Sequence, residues 1–278
     1  MFVSKKLLFL PIALLLILTV GCTILLPRQF ASNPHLAFGN PSNASNIDPN
    51  NYLIEKPQYV LSYNRDKGIP NWVSWELNQS WLGEAPRSNN FRPDDTLPED
   101  WYRVTPNDYT RSGFDKGHMI PSADRSNNPD NNAATFLMTN IIPQAPDNNQ
   151  GYWARLEDYE RTLANEGYEL HIISGVYGQK GTIARGKVSI PARIFKIIVA
   201  TTSERSINDS TKIIAVDTPN INGNRETNWT EFLTSIDAIE KNTGYNFLSN
   251  LSPSLQNLVE SKVASVIEVK PKSSSHKN

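Results

Sequence analysis

The sequence has little that would mark a disulfide-stabilised protein or a zinc protein. Its 278 residues include one cysteine and four histidines. A single cysteine cannot form a disulfide framework, a four-thiolate zinc site or a Cys-x-x-Cys redox pair. The chain also contains no His-Glu-x-x-His pair. The sequence therefore argues against the common zinc hydrolases.

The chain also lacks an excess of charge of either sign. Lys and Arg number 27 and Asp and Glu number 28, which gives a formal net charge of -1 at pH 7. This balance excludes a protein that coats nucleic acid by bulk positive charge, so any nucleic-acid site has to be a local basic patch. An apolar share of 38% with 9% aromatic residues is enough to fill a core.

The long apolar run is confined to the N-terminus. Lys5 and Lys6 precede an apolar stretch at residues 7–20, and this pattern predicts an export signal at residues 1–22. A run of about 14 residues is short for a membrane-spanning helix, which needs about 20. Cys22 stands where a bacterial lipoprotein carries its lipid, although Thr19 replaces the usual leucine. A lipidated form, a soluble secreted or periplasmic form and an uncleaved membrane anchor all stay open.

Composition divides the remainder of the chain into three parts. Residues 23–50 are rich in Asn, Pro and Ser, which predicts a flexible tether. Residues 270–278 predict a disordered tail for the same reason. Residues 51–269 show continuous patterning with no second linker and no internal repeat, so we predict one domain there.

Strand patterns are frequent in that domain. Aromatic and β-branched runs at residues 59–63 and 72–75 are separated by a polar segment that ends at Gly68, and they predict a hairpin. Apolar runs predict four further strands, at residues 170–174, 188–190, 194–200 and 212–216.

Three helices are predicted between and after these strands. The clearest begins near Asn149 and stops before Gly167. Its apolar residues recur at helical spacing and form one stripe: Tyr152, Leu156, Tyr159 and Leu163. Shorter helices are predicted at residues 132–138 and 229–241. Because the helices do not alternate regularly with the strands, the pattern favours an α+β fold.

Of the four histidines, only one lies in a segment where a catalytic role is expected. His35 falls in the predicted tether and His276 in the predicted tail, while His171 stands in a strand and is interpreted as structural. His118 lies in Gly-Phe-Asp-Lys-Gly-His-Met at residues 113–119, where glycines permit close backbone approach. A carboxylate and a cation stand within three residues of it. On this segment alone, a turn histidine among solvated charges explains the pattern equally well.

A second set of polar residues lies on the predicted main helix. Asn149, Glu157 and Arg161 share one broad face by their spacing. Oxygen ligands on that face would suit hydrated Mg²⁺. Spacing alone favours a simpler interpretation, in which Asn149 caps the helix and Glu157 forms a surface ion pair with Arg161.

Several ordered sequence blocks together carry a family resemblance. They are Asp-Lys-Gly-His-Met at 115–119, Pro-Ser-Ala-Asp-Arg at 121–125, Asn-Ala-Ala-Thr-Phe at 132–136, an amide-rich segment at 138–149 and Leu-Glu-Asp-Tyr at 156–159. In this order they resemble the DNA/RNA non-specific endonucleases of the ββα-metal (His-Me finger) type. The resemblance covers nearly the whole predicted domain. It implies an α+β fold with a central, mostly antiparallel sheet and flanking helices.

The resemblance also implies roles for individual residues. His118 would be the general base that activates water. Asn149 would be the direct protein ligand of one hydrated Mg²⁺, for which Mn²⁺ is a potential substitute, and Glu157 would hold metal-bound waters. Three cations would contact the phosphate and one amide would shape the site: Arg87, Lys116, Arg161 and Asn140.

Two positions depart from the family pattern. Lys116 stands where the family usually has arginine before the glycine, and Gln150 also stands where arginine is expected. Lysine keeps the positive charge but loses the planar fork that grips two phosphate oxygens. These departures put the rate and the grip on substrate in doubt, but they leave the metal ligand and the base intact.

The sequence thus predicts an exported, Mg²⁺-dependent endonuclease that leaves 5′-phosphate ends, as the resemblance implies. A site that contacts phosphate and metal without reading base edges would accept DNA and RNA alike. The alternative is a catalytically weak, nucleic-acid-binding surface lipoprotein of the same fold, attached to the membrane through lipid on Cys22. The presence of His118, Asn149 and Glu157 argues against that alternative. No protein inhibitor can be identified from the sequence.

Overall fold

The computed structural model describes residues 33–202, 207–208 and 211–264. The predicted export signal with Cys22 and the predicted tail lie outside these residues. Within the described part of the chain, no helix combines the length and apolar character that a bilayer crossing requires.

A large antiparallel sheet and a small one form the framework. The large sheet has seven strands, which in spatial order are β1 (Tyr52–Lys56), β2 (Tyr59–Asn64), β3 (Ile69–Leu77), β6 (Glu169–Ile183), β7 (Val188–Thr201), β8 (Lys212–Pro219) and β9 (Leu233–Thr234). Each neighbouring pair in it is antiparallel. The small sheet consists of β4 (Asp115–His118) and β5 (Ile141–Gln144), also antiparallel.

Four α-helices accompany the sheets. They are α1 (Pro129–Ala134), α2 (Ala154–Asn165), α3 (Ile236–Thr243) and α4 (Pro253–Glu260). Adjacent residues in the central strands of the large sheet point to opposite sides. Because these residues are apolar on both sides, helices cover both faces of the sheet. Ile172 and Ile198 belong to the core that contains the apolar residues of α2. Ile173 and Ile197 belong to the core formed with α3 and α4. The predicted α+β class is confirmed.

The predicted strands are present, with one difference in connection. The two strands predicted at residues 188–190 and 194–200 form the single strand β7. Pro191 separates the two apolar runs in the sequence, and it pairs with Gln179 beside a register shift between Gln179 and Gly181. Proline is tolerated in a strand at such an irregularity, because the ladder there does not require its missing N–H.

Residues 33–50, predicted as a flexible tether, are folded against the large sheet. His35 lies in a short helical turn at Pro34–Leu36 and is only 1% exposed. Its Nε2 lies 3.0 Å from the Pro57 carbonyl oxygen, and its Nδ1 accepts a hydrogen bond of 3.1 Å from the Glu76 N–H. The Asn, Pro and Ser content suggested a flexible segment. The prediction was wrong because these contacts join residues distant in the sequence, which composition does not reveal.

The predicted main helix begins with a distortion. Residues Asn148–Trp153 form a wide π-helical turn that is kinked at Gly151, and regular α-helix begins only at Ala154. A Cβ atom on Gly151 would lie 2.6 Å from the Arg225 carbonyl oxygen. The backbone at Arg225 lies so close that only glycine fits at position 151, and the helix is kinked there. The spacing of apolar residues, from which the helix was predicted, does not reveal this contact.

The two shorter helices differ from their predicted bounds. α1 begins earlier, because Asn128 caps it and Pro129 occupies its first turn. The helix predicted at residues 229–241 is interrupted: a short helical turn and β9 come first, and α3 starts only after its cap at Ser235. Gly244, in the left-handed region at φ +73°, ends α3.

Candidate active site

The small sheet and the helical turn after it bring the sequence-predicted residues together. His118 is the last residue of β4 and pairs with Ile141, the first residue of β5. Asn149 follows β5 within the π-helical turn, and α2 continues from there with Glu157 and Arg161. Two strands followed by a helix thus carry the candidate base and the candidate metal ligand.

Gly117 allows β4 and β5 to approach each other in front of His118. A Cβ atom on Gly117 would lie 2.1 Å from Oε1 and 2.5 Å from Cβ of Gln144. A larger residue there would collide with the Gln144 side chain. The glycine is therefore needed because the buried Gln144 side chain, and not a neighbouring backbone, occupies the space beside it.

Asn140 supports the strand that carries His118. The side chain is fully buried, and its Oδ1 accepts a hydrogen bond of 3.1 Å from the Ile120 N–H. Its Nδ2 donates to the carbonyl oxygens of Ile120 (3.0 Å) and Thr135 (2.8 Å). Asn140 thus fixes the backbone two residues after His118, which is a positioning role and leaves no amide group turned towards a substrate.

The imidazole of His118 lies between two aromatic rings. The ring centroids of Phe136 and Phe91 are 4.8 and 5.3 Å from that of His118. Nε2 is buried and has no hydrogen-bond partner in the described part of the chain. Burial, and secondarily the charge of Arg87, lower the pKa of His118 to about 3. The imidazole is therefore neutral at neutral pH, which is the form that can accept a proton.

Asp115 orients the candidate metal ligand. Its Oδ2 accepts hydrogen bonds from Asn149 Nδ2 at 2.8 Å and from Gln150 Nε2 at 2.7 Å. Because the amide nitrogen of Asn149 is held in this way, Oδ1 is the atom left to face a cation. Sequence analysis noted Asp115 only as a carboxylate near His118. The available signal was its place in the sequence, three residues before His118 in the same predicted motif.

Gln150 connects Asp115 to a further cation, Arg225. Its Oε1 accepts a hydrogen bond of 2.9 Å from Nη2 of Arg225. A guanidinium from a distant loop therefore lies beside the position where the family pattern has arginine. Sequence analysis missed Arg225 because the loop that supplies it is 75 residues away along the chain.

Two cations flank the aromatic rings around His118. Arg87 donates through Nη1 to Ser122 Oγ at 2.6 Å, and its guanidinium lies 5.0 Å from the centre of the Phe136 ring. Lys116 Nζ lies 5.0 Å from the centre of the Phe91 ring. Two positive charges therefore lie against the aromatic rings that contact His118, an arrangement that suits a phosphate-binding site.

Lys116 offers the clearest test of whether this charge grips the substrate. Replacing Lys116 with alanine should lower kcat/KM by about 10- to 100-fold on DNA and RNA alike, since a hydrogen bond to a charged group contributes about 1.5–3 kcal/mol. Lys116→Arg should keep or raise activity, because a guanidinium can bind two phosphate oxygens. Steady-state kinetics on both substrates measures these effects.

Lys187 provides the matched control for that experiment. Its Nζ lies 5.6 Å from the centre of the Tyr102 ring, so it too is a lysine placed over an aromatic side chain. Lys187→Ala should leave kcat/KM unchanged. If Lys116→Ala were equally without effect, the site would need no cation at this position.

Arg161 is partly buried and pairs with one buried and one exposed aspartate. Its Nη1 lies 3.0 Å from Asp124 Oδ1, and its Nη2 pairs with Asp158. Asp124 is completely buried and also accepts a hydrogen bond of 3.0 Å from Trp75 Nε1. The simpler interpretation of a surface pair with Glu157 therefore does not describe Arg161, whose direct ion pairs in the described chain are with the two aspartates.

Glu157 lies beside a buried lysine that sequence analysis missed. Lys196 in β7 is completely buried, and its Nζ is 3.9 Å from Glu157 Oε1 and 2.9 Å from Glu160 Oε1. Burial raises the pKa of Glu157 to about 7, although Lys196 and Arg161 act in the opposite direction. A lysine inside an otherwise apolar strand was the signal that could have revealed this cluster.

Comparisons with known proteins identify the family of this chain. The sequence model of the DNA/RNA non-specific endonuclease family matches residues 34–254. A nuclease from Nostoc sp. (strain PCC 7120 / SAG 25.82 / UTEX 2576) is 48% identical over 265 residues, covering 91% of this chain and 96% of that protein. The mitochondrial nuclease EXOG of Danio rerio is 32% identical over 69% of this chain and 60% of its own length.

A solved structure shows the same fold. A chain in the crystal structure of the EndoG/EndoGI complex aligns with a TM-score of 0.68 at 22% identity, over 78% of this chain and 91% of that one. The family match spans both sheets, the segments that carry His118, Asn149 and Glu157, and most of the helices. The chain therefore belongs to the DNA/RNA non-specific endonuclease family, whose members are metal-dependent nucleic-acid hydrolases of the ββα-metal fold.

Proposed function

We propose that the protein is an exported, Mg²⁺-dependent endonuclease that cuts DNA and RNA with little sequence preference. His118 acts as the general base, and Asn149 Oδ1 is the direct protein ligand of the metal. The observation that carries this proposal is the hydrogen bond from Asn149 to Asp115. It fixes the candidate metal ligand against the strand that ends in His118.

The donor groups suit a hydrated Mg²⁺. This ion takes hard oxygen ligands and keeps several waters when proteins bind it. Asn149 supplies an oriented amide oxygen, and the carboxylate of Glu157 can accept hydrogen bonds from metal-bound waters. When bound, the ion would neutralise charge on the scissile phosphate and on the departing 3′ oxygen.

The side chains of the protein supply the remaining chemistry. The neutral imidazole of His118 accepts a proton from the water that attacks phosphorus. Arg87 and Lys116, which lie against the two phenylalanine rings beside it, stabilise negative charge on the phosphate oxygens. These contacts involve phosphate and not base edges, which supports activity on both DNA and RNA.

Export rests on Lys5, Lys6 and the apolar stretch at residues 7–20. The mass of the native protein distinguishes the three forms of its N-terminus. A diacylated Cys22 would indicate membrane attachment through lipid, a free N-terminus beyond Cys22 a soluble form, and an intact Met1 an uncleaved anchor. An intact Met1 in a cytoplasmic fraction would contradict export.

Metal dependence is tested with the purified protein on plasmid DNA and RNA. EDTA should abolish degradation of both, and added Mg²⁺ should restore it. Asn149→Ala should require a much higher Mg²⁺ concentration for half-maximal rate, because the direct ligand is lost. The exposed Asn107 provides a matched control, since Asn107→Ala should leave the Mg²⁺ titration unchanged.

Two results would contradict the proposal. Full activity in EDTA would exclude a required metal, and an unchanged Mg²⁺ titration in Asn149→Ala would reduce this residue to a structural role. Binding of nucleic acid without cleavage in Mg²⁺ would instead favour a catalytically weak binding protein of the same fold.

A further inference from the structure

Three carboxylates meet at the ends of α3 and α4, away from the active site. Asp237 and Glu240 belong to α3, and Glu260 is the last residue of α4. One oxygen from each lies within 4.8 Å of the others. α3 and α4 pack on the face of the large sheet opposite to α2, so this cluster is separate from the residues around His118.

Glu260 provides the main evidence that the cluster binds a ligand. The residue is only 5% exposed, and its Oε1 is buried without a hydrogen-bond partner in the described part of the chain. Burying a carboxylate oxygen without a partner is costly, so native proteins rarely leave one in this state. Burial and the charges of Glu240 and Asp237 all raise the pKa of Glu260, to about 7.

The other two carboxylates complete a cradle that is open on one side. Glu240 Oε1 accepts a hydrogen bond of 2.7 Å from the N–H of the buried Phe247, which fixes the carboxylate against the segment between the two helices. Asp237 stands one turn before Glu240 and is exposed. The cluster therefore combines two carboxylates held by the fold with one that leaves access to solvent.

We propose that Asp237, Glu240 and Glu260 bind Ca²⁺. The donors are all carboxylate oxygens, which suit a hard cation, and the absence of nitrogen or sulfur among them argues against zinc and copper. Ca²⁺ accepts carboxylates in flexible geometry with water in the remaining positions, whereas Mg²⁺ demands a near-ideal octahedron. The bound ion would join the end of α4 to α3. This site is independent of the proposed catalytic metal.

The test measures thermal unfolding of the purified protein carrying Asn149→Ala, which removes the catalytic metal ligand. With a Kd of about 1 mM, as in weak extracellular calcium sites, 10 mM Ca²⁺ should raise the Tm of EDTA-treated protein by about 3–6 °C. Adding Glu260→Gln should abolish the rise. Equilibrium dialysis should find one Ca²⁺ per chain without Glu260→Gln and none with it.

Two further variants keep the result interpretable. Glu99→Gln changes an exposed carboxylate elsewhere and should keep the full Ca²⁺ effect. Asp237→Asn changes the exposed member of the cluster, so a smaller Ca²⁺ effect in this variant cannot be attributed to damage in the core. The proposal is overturned if Ca²⁺ produces no shift, if the shift survives Glu260→Gln, or if Mg²⁺ produces a shift of equal size.

Discussion

Replacing His118 with alanine should lower kcat at least about 100-fold on both DNA and RNA, the lower end of the contribution from general-base catalysis. His118 ends the strand that begins at Asp115, the hydrogen-bond partner of the candidate metal ligand, and its Nε2 has no hydrogen-bond partner in the described residues. Because its pKa lies at about 3, the imidazole is already in the basic form at pH 7. Protonation of this group should reduce the rate only as the pH falls towards that value.

A second buried histidine separates catalysis from folding. His171 bonds Ser74 Oγ at 3.2 Å and packs edge-on against Phe38 at 4.9 Å. His171→Ala should therefore lower the free energy of unfolding while leaving kcat nearly unchanged. Added imidazole should partly restore activity to His118→Ala, because the space between the two phenylalanine rings is then free. Wild-type kcat in His118→Ala would remove His118 from the mechanism.

The contrast between these two histidines shows what sequence can provide. The motif around His118 places glycine, a carboxylate and a cation within a few residues, which made it a candidate, and the family resemblance then selected it. His171 was interpreted as structural from its apolar neighbours, and its burial in β6 agrees. Local patterns also predicted the hairpin of β2 and β3 and the apolar stripe of α2, because both depend on periodicity along one element.

What sequence analysis missed depends on contacts between distant segments. The fold of residues 33–50 requires partners on β2 and β3, and composition cannot reveal them. The kink at Gly151 is set by the backbone of Arg225, which a helical pattern does not include. The same holds for the hydrogen bond from Asn149 to Asp115 across 34 residues. The sequence thus named candidate residues for the site, but it did not reveal the contacts that position them.

Lys196 has the largest expected effect on stability. It lies in the core with its Nζ 2.9 Å from Glu160 Oε1 and 4.6 Å from the centre of the Trp153 ring. Both charged groups of this pair are completely buried. Lys196→Met would leave Glu160 without its counter-ion, and removing one partner of a buried pair typically costs about 3–5 kcal/mol. Urea denaturation at pH 8 should show a loss of this size.

The loss should depend on pH in a defined direction. Burial raises the pKa of Glu160, and Lys196 opposes that rise. In Lys196→Met the folded-state pKa therefore increases further above the unfolded value of about 4.3. A carboxyl group of this kind binds its proton more tightly in the folded state, so stability is lost as pH rises above the unfolded pKa. The wild type loses stability in the same way until the pH reaches its own raised folded-state pKa, so the extra loss in the variant should grow only above that pKa. The variant should consequently be more destabilised, relative to the wild type, at pH 9 than at pH 7.

Two comparisons identify the buried charge as the cause. Lys196→Met combined with Glu160→Leu should recover much of the stability at pH 8, because buried ion pairs can be replaced by apolar residues at little cost. Lys212 in β8 is a partly buried lysine 4.6 Å from the centre of the Tyr168 ring, and Lys212→Met should cost less than about 1 kcal/mol. A loss in Lys196→Met that is the same at pH 7 and pH 9 and persists in the double variant would mean that packing of the lysine stem, and not the unpaired carboxylate, limits stability.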